Sequence, residues 1–466
     1  MPELRRYQRD AIEAIRAQLR TGRRRVLLIS PTGSGKSLLI ASMVQGAKAK
    51  GKRSLYIVHR RELVTQISER LTRDGVTHGI MMGKDSRGAS EPVQVCSVQT
   101  LSRRAHPPAD LILVDEAHRA AADTYLAVFA KYPGAPVIGY TATPNRTDGR
   151  GLGDLFESAV VAATPAELIR DGFLCRYSGF AFMAPDLEGV RTVAGDWDGK
   201  GLTLAYQKST IYASVTEKWL EKAHGRQTIV FASSIEASLD IVARFRAVGV
   251  TAEHIDYKSP SEERASVIAR VRDGSLTVVS NVNLLSEGTD LPSLAVAVLA
   301  RPTKSLTMHL QQLGRVLRVK PDGSAALILD HSGNCARHGL PDSDRSWELT
   351  KDKPREVVPS LFTCTQCFAI GEHPPCSECG HQPATVARSG PVQQDEHVEV
   401  DIRKVRRIDK KRRDELVRLL ASDARRHGMA PGWVVRKLNE KMPGASFPAG
   451  WWRANVAGEK GNWRWA

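Results

Sequence analysis

The segment that most narrows the fold is Ser30-Pro31-Thr32-Gly33-Ser34-Gly35-Lys36-Ser37, set between the apolar run Val26-Leu27-Leu28-Ile29 and a helical pattern over residues 38–50. A strand that turns through glycines directly into a helix is half of a crossover unit, and such units place their strands in a parallel sheet with helices on both faces. The neighbouring sequence repeats the theme. Ser54-Leu55-Tyr56-Ile57-Val58, Val93-Gln94-Val95-Cys96-Ser97-Val98, Leu111-Ile112-Leu113-Val114 and Val137-Ile138-Gly139-Tyr140 are short apolar runs bounded by turn or charged residues. Residues 1–165 therefore read as one doubly wound α/β domain. A second series, Thr228-Ile229-Val230-Phe231, Ala252-Glu253-His254-Ile255, Leu276-Thr277-Val278-Val279-Ser280, Ala295-Val296-Ala297-Val298-Leu299 and Ala325-Ala326-Leu327-Ile328-Leu329, predicts another such domain over 209–350. Residues 166–208 read as a connection or insertion, because 183–208 are rich in Gly, Asp and Pro without a clear period.

The glycine turn carries chemistry as well as shape. At a helix N-terminus the backbone N–H groups of Thr32, Gly33, Ser34 and Gly35 can cradle phosphates, while Lys36 reaches the terminal phosphates and the Ser37 hydroxyl ligates Mg²⁺. A strict phosphate loop would have glycine where Ser30 stands, so this is a variant of the pattern. The plain alternative is a tight strand-to-helix turn. The run ending in Asp115-Glu116-Ala117-His118 supplies a carboxylate, Asp115, to hold the Mg²⁺ shell, and a second, Glu116, to activate the attacking water. Binding and hydrolysis of ATP or GTP are predicted. In Gln311-Gln312-Leu313-Gly314-Arg315-Val316-Leu317-Arg318 the two arginines are three apart, which on a helix puts both on one face, able to meet phosphate charge across a closing cleft.

Four of the seven cysteines lie in Cys364-x2-Cys367-x8-Cys376-x2-Cys379. Two CxxC knuckles can surround Zn²⁺ with four thiolates and no open position, which predicts a structural site in a module over 355–385; His373 or His381 could replace one cysteine. Cys96, Cys175 and Cys335 stand among apolar neighbours and read as reduced interior residues.

Net charge bears on partners. The chain of 466 residues carries 67 Lys+Arg against 51 Asp+Glu, a balance of +16, and residues 401–466 alone hold 17 against 7, or +10. Such a field attracts polyanions, so nucleic acid is the expected ligand. The region 400–466 also holds five of the eight tryptophans and reads as basic and mainly helical. Its Lys/Arg runs could neutralise phosphates and its tryptophans could stack on bases, or form a small core. A membrane span is excluded, since no run approaches the ~18 apolar residues one requires, and the first eight residues lack a secretion signal's apolar core, which points to the cytoplasm.

Taken in order, these motifs resemble the superfamily two DEAH-box helicases over about 320 residues. The resemblance implies two tandem RecA-like domains. It implies that Gln8 reads adenine, which favours ATP, and that His118 and Gln311 join Lys36, Asp115, Glu116, Arg315 and Arg318 as catalytic residues. Gly288 and Asp290, in Ser286-Glu287-Gly288-Thr289-Asp290, would contact nucleotide, while Arg60, Arg61, Thr100 and Phe231 lie in motifs that would grip nucleic acid. Thr141-Ala142-Thr143 resembles the motif coupling hydrolysis to domain movement. Residues 328–339 with the cysteine knuckles narrow the likeness to the RadD-type DNA repair helicases and related phage helicases, although Tyr257 stands where these commonly have glycine. That likeness suggests DNA, single-stranded or forked, as the substrate and single-strand-binding protein as a partner. The motor of a restriction system, an RNA helicase and a non-catalytic nucleic-acid scaffold remain open alternatives at this level.

Overall fold

The computed structural model describes residues 3–382, apart from 60, 84, 105, 120–122, 147–149, 194, 208–210, 285–293 and 352–360. The basic region 400–466 therefore lies outside the described residues.

Two sheets organise the chain. In the first lobe eight strands, β1 (Arg25–Ile29), β2 (Ser54–Val58), β3 (Gly79–Met82), β4 (Asp85–Arg87), β5 (Val93–Ser97), β6 (Leu111–Val114), β7 (Val137–Thr141) and β8 (Ser158–Val161), pair in the order β4-β3-β5-β2-β6-β7-β1-β8. Every pairing is parallel except β3 with β4. The second lobe pairs β9 (Tyr177–Ala181), β12 (Thr228–Ala232), β13 (Ala252–Ile255), β14 (Val278–Asn281), β15 (Val296–Ala300) and β16 (Ala326–Asp330) in the order β13-β14-β12-β15-β16-β9, all parallel. Two small hairpins, β10 (Thr192–Val193) with β11 (Asp196–Trp197) and β17 (Phe362–Thr363) with β18 (Ile370–Gly371), complete the set.

The uninterrupted apolar runs follow from burial on both faces. Side chains alternate along a strand, so Val26 and Leu28 enter one core of the first lobe while Leu27 and Ile29 enter the other. In the second lobe Ile229 and Phe231 face one core, Val230 and Ala232 the other. Among the described residues no helix is long and apolar enough to cross a membrane.

Residues 166–208, expected as a connection, do more than connect. The half-buried run Tyr177-Ser178-Gly179-Phe180-Ala181 has no continuous apolar signature, yet it is the edge strand β9 of the second sheet. The cysteine module docks on that edge: Ala181 N–H donates to Phe368 O at 2.9 Å, and Ala369 bridges Phe180. Covering an edge strand protects its backbone groups from pairing with another chain. The hairpin β10–β11 plugs onto the end of β15, where the Asp196 carboxylate accepts from Thr303 Oγ1 and Lys304 N–H, both at 2.8 Å, and Trp197 lies between Lys304 and Arg337.

The chain then returns to the first lobe. Trp347 and Leu349 pack on its core, and Gly153 N–H donates to Thr350 O at 2.7 Å. A Cβ added at Gly151 would lie 1.9 Å from Thr350 O, so this return path requires glycine there. Gly151→Ala is expected to lift residues 346–351 from the first lobe. Hydrogen exchange at Gly153 N–H and through 346–351 should rise about tenfold or more, with β12 and β14 unchanged.

Candidate active site

In a parallel α/β sheet the carboxyl ends of the strands form the binding edge, and the motif residues gather there. After β1 the chain turns through Gly33 (φ 88°) and Gly35 (φ 83°), left-handed conformations that favour glycine, and enters the helix Lys36–Lys48 with Gly35 as its N-cap. Ser34 braces the turn: its hydroxyl lies 2.6 Å from both Pro31 O and Ser30 Oγ. The serine that departs from the strict pattern is thus a buried strut.

Gln8 is buried against the same turn. Its Nε2 donates to Ser34 O at 3.1 Å and its Oε1 accepts from Arg5 N–H at 3.0 Å. The neighbouring Tyr7 hydroxyl also donates to Ser34 O. Tyr7 packs on Phe173 at 5.5 Å between ring centroids, and the Arg5 guanidinium covers the other ring at 4.3 Å. Nothing in the sequence around Phe173 pointed to this cluster, because Phe173 arrives from the stretch read as a connection.

Glu116 is the centre of the site. It follows β6 with φ 48°, an uncommon conformation for a residue with a side chain. One carboxylate oxygen faces Lys36 Nζ at 3.9 Å; the other meets His118 Nδ1 at 3.4 Å and accepts from Gln311 Nε2 at 3.4 Å. Gln311 belongs to the second lobe, so this carboxylate ties the lobes together. Asp115 next to it has its pKa raised, first by burial and then by the Glu116 charge. Two carboxylates against one lysine leave an excess of negative charge that a divalent cation would offset, so Asp115 and the exposed Ser37 suit a Mg²⁺ shell.

Further contacts close the cleft. Thr141 Oγ1 lies 3.4 Å from His118 Nδ1, and Thr143 Oγ1 lies 2.6 Å from Thr307 Oγ1 across the lobes. Gly314 sits on Thr32 so closely that an added Cβ would come within 2.4 Å of the threonine Cβ. Arg318 lies beside Gly33, and burial holds its guanidinium below the usual arginine range. Arg315 is buried as well. These two arginines are not on a helical face as expected. The helix Leu306–Leu313 ends before them, and Arg315 and Val316 continue in a tighter turn, donating N–H to Gln312 O and Leu313 O. Gly314, the C-cap of that helix, is the residue that must pass Thr32.

Of the residues expected to grip nucleic acid, Thr100 has its hydroxyl bonded to Ser97 Oγ and to Gly83 N–H, each at 2.8 Å. Phe231 is corrected: at 3% exposure it is core, because both faces of β12 are covered and its ring packs in the cluster of Ile229 and Leu299. Arg60, Gly288 and Asp290 lie outside the described residues, as does the side chain of Arg61. His331, stacked on Phe182, and His338, bonded through Nε2 to Thr303 O at 2.8 Å, are buried in the second lobe; burial pushes both down to about 4, leaving neutral rings.

The cysteine knuckles form a separate centre. All four Sγ atoms lie within 4.8 Å of one another, with Cys364 to Cys379 and Cys367 to Cys376 at 3.6 Å. Tetrahedral thiolates at the Zn–S distance would be roughly 3.8 Å apart, so the set fits one such ion. Each knuckle closes on a left-handed residue, Phe368 (φ 65°) and Gly380 (φ 71°), whose N–H donates back to the carbonyl of Cys364 or Cys376.

Comparison with known proteins agrees with this arrangement. Residues 1–146 match the family model for the res subunit of type III restriction enzymes, and residues 211–320 match the helicase conserved C-terminal domain. A 51.5 kDa protein of a Lactococcus phage (isolate 7-9) is 33% identical, covering 76% of this chain and 77% of its own. IRC3 of Saccharomyces cerevisiae, named as a candidate ATP-dependent helicase, is 30% identical over 71% of this chain, which spans only 52% of it. The DNA 3'-5' translocase XPB2 of Sulfurisphaera tokodaii is 25% identical, with 70% and 81% covered. A fragment of a type I restriction enzyme HsdR subunit candidate from Vibrio vulnificus YJ016 shares the fold at 20% identity and a TM-score of 0.56, covering 72% of this chain and 67% of that one.

Two outcomes are expected of this geometry. Gly314→Val should hold the lobes apart at Thr32 and lower ATP turnover roughly 100-fold, while equilibrium binding of a fluorescent ATP analogue is kept. Cys376→Ser should cut the metal content measured by atomic emission from about one ion per chain to well below that and expose the β9 edge to protease.

Proposed function

The chain belongs to the superfamily two helicases, a family of ATP-dependent helicases and translocases, and on that premise we propose that it is a motor that hydrolyses ATP while moving on or remodelling DNA. The observation that carries the reading is the shared carboxylate: Glu116 of the first lobe is held by Lys36 from one side and by Gln311 of the second lobe from the other. Any change at the terminal phosphate that moves Lys36 or Glu116 is therefore felt by the second lobe at once.

The proposed roles follow from position. Thr32, Gly33, Ser34 and Gly35 present backbone N–H groups to the phosphates at the start of a helix, where the dipole favours negative charge. Lys36 neutralises the terminal phosphates. Asp115 and Ser37 hold Mg²⁺, which when bound offsets phosphate charge. Glu116 takes the proton of the attacking water, with His118 and Gln311 fixing its carboxylate, and Arg315 and Arg318 face the phosphates from the second lobe. Gln8, seated on the turn beside Tyr7, reads the base. Zn²⁺ in the four-thiolate centre is a structural ion that pins the module to β9.

DNA is the substrate that the relatives' names and the net charge of +16 favour, with single-stranded or forked ends engaged through backbone contacts such as Thr100. Within the family we place the chain with the DEAH-box, RadD-type repair enzymes, on Asp115-Glu116-Ala117-His118 and on the cysteine knuckles after the second lobe. Single-strand-binding protein is the partner this placement suggests. A restriction motor is the second reading, favoured by the family model over residues 1–146; ATP-dependent cutting of plasmid would establish it.

ATP turnover measured in parallel with single-stranded DNA, duplex, fork and RNA tests the proposal. Stimulation by RNA alone would refute it. Lys36→Ala should lower stimulated turnover by roughly 1,000-fold while strand binding, followed by anisotropy, changes little; undiminished turnover would sink the site assignment.

A further inference from the structure

The three cysteines outside the knuckles are not equivalent. Burial pushes the Cys96 thiol up to about 12, and burial followed by the Asp330 charge raises that of Cys335, so both are held as inert thiols. Cys175 instead has an amine against its sulfur. Lys320 Nζ donates to Cys175 Sγ at 3.2 Å and to Val316 O at 3.0 Å, the same carbonyl that the Cys175 thiol meets at 3.5 Å. Both side chains are enclosed, Lys320 at 5% exposure and Cys175 at 8%. Lysine is almost never buried without an opposite charge, yet among the described residues no carboxylate pairs with this one.

The pair joins two segments that touch the phosphate turn. Cys175 follows Leu174, whose Cδ2 would lie 3.0 Å from a Cβ at Gly33, and Lys320 comes two residues after Arg318, whose Cγ would lie 3.6 Å from the same point. Between them Cys175 N–H donates to Leu317 O at 2.8 Å, which holds the segments in line. The pair also lies just beneath the surface: Arg176 on one segment and Val319, Pro321 and Asp322 on the other are exposed. A small local opening admits an oxidant of a few atoms to the sulfur.

We propose that Cys175 and Lys320 are a site of oxidative modification, at which a peroxide joins Sγ to Nζ by a covalent S–N bond. The thiolate attacks the O–O bond, keeps one oxygen as a sulfenic acid and releases the other, with the thiol's proton, as water. The neutral Lys320 amine then attacks that sulfur. The S–N bond forms as the S–O bond breaks, and the hydroxide leaves with an amine proton as a second water. Sulfur loses two electrons and the peroxide gains two, so no further reactant is needed. Two equivalents of a thiol reverse the step, restoring Cys175 and Lys320 and becoming a disulfide. The flexible lysine stem lets Nζ close on the sulfur without moving the backbone. Once formed, the bond ties the segment entering β9 to the one that carries Arg315 and Arg318; its effect on turnover rests on the motor reading above, whereas the bond itself does not.

The test is a peptide map of the full chain after hydrogen peroxide. Tryptic peptide 171–176 should appear joined to 319–337, the pair two hydrogens lighter than the separate peptides, and dithiothreitol should part them. Because 319–337 also contains Cys335, fragment ions must place the bond on Lys320. The joined pair should be missing from Cys175→Ser and from Lys320→Arg. Oxidised wild-type chain should turn over ATP roughly fivefold more slowly or worse and recover in dithiothreitol, while Lys320→Arg, whose knuckle cysteines meet the same oxidant, should keep most of its turnover. A Cys175–Cys335 disulfide, or Cys175 carried to sulfinic acid beside a free Lys320, would overturn the proposal. Equal slowing of wild type and Lys320→Arg would overturn the control of turnover by this bond. A reduced chain without ATP turnover would count against the motor reading instead, since the map detects the bond independently of activity.

Discussion

A single carboxylate, that of Glu116, holds three groups that arrive from different parts of the chain. Lys36 comes from the phosphate turn, His118 from the short helical turn after β6, and Gln311 from the second lobe. The backbone at Glu116 is in an uncommon left-handed conformation, which surrounding structure must impose. With side chains that are only 12–14% exposed, the Lys36–Glu116 pair feels little screening by solvent, so displacing either partner has a cost that the rest of the cleft must accommodate. The cleft is thus a set of contacts that change together rather than a passive pocket.

The lobes meet at more than this carboxylate. Thr143 pairs with Thr307, and Gly314 lies on Thr32 at a distance no side chain would allow. Outside the cleft they are joined twice by the chain: once before β9, and again where Trp347, Leu349 and Thr350 return to the first lobe. A second tether restricts how the lobes can separate, favouring rotation about the tethers over free opening. In the proposed motor, that restriction would turn a local change at the phosphates into a repeatable displacement.

The second lobe is closed off by elements with little secondary structure of their own. The cysteine module covers the β9 edge, and the β10–β11 hairpin caps the end of β15 with one carboxylate, Asp196, receiving two hydrogen bonds. Both are small pieces that cannot bury a core alone. Each is held by a few local interactions, four cysteine sulfurs gathered within 4.8 Å of one another in one case and a charge-assisted network in the other.

Ten of the strands were legible as apolar runs, because burial on both faces leaves no polar alternation to obscure them. The edge strand β9, which mixes polar and apolar residues, and β3, β4 and β8, of only three or four residues each, were not. The phosphate turn, the paired acids and the cysteine knuckles were legible because their chemistry needs particular residue types at short, fixed spacings. Which residues face one another was decided only by the fold. That Gln311 reaches Glu116, that Phe173 covers Tyr7, that Phe231 is core and that Arg315 and Arg318 follow a helix rather than ride on it depend on contacts between segments far apart in the chain. Local spacing specifies what a segment can bind; only the packing of one lobe on the other specifies what it meets.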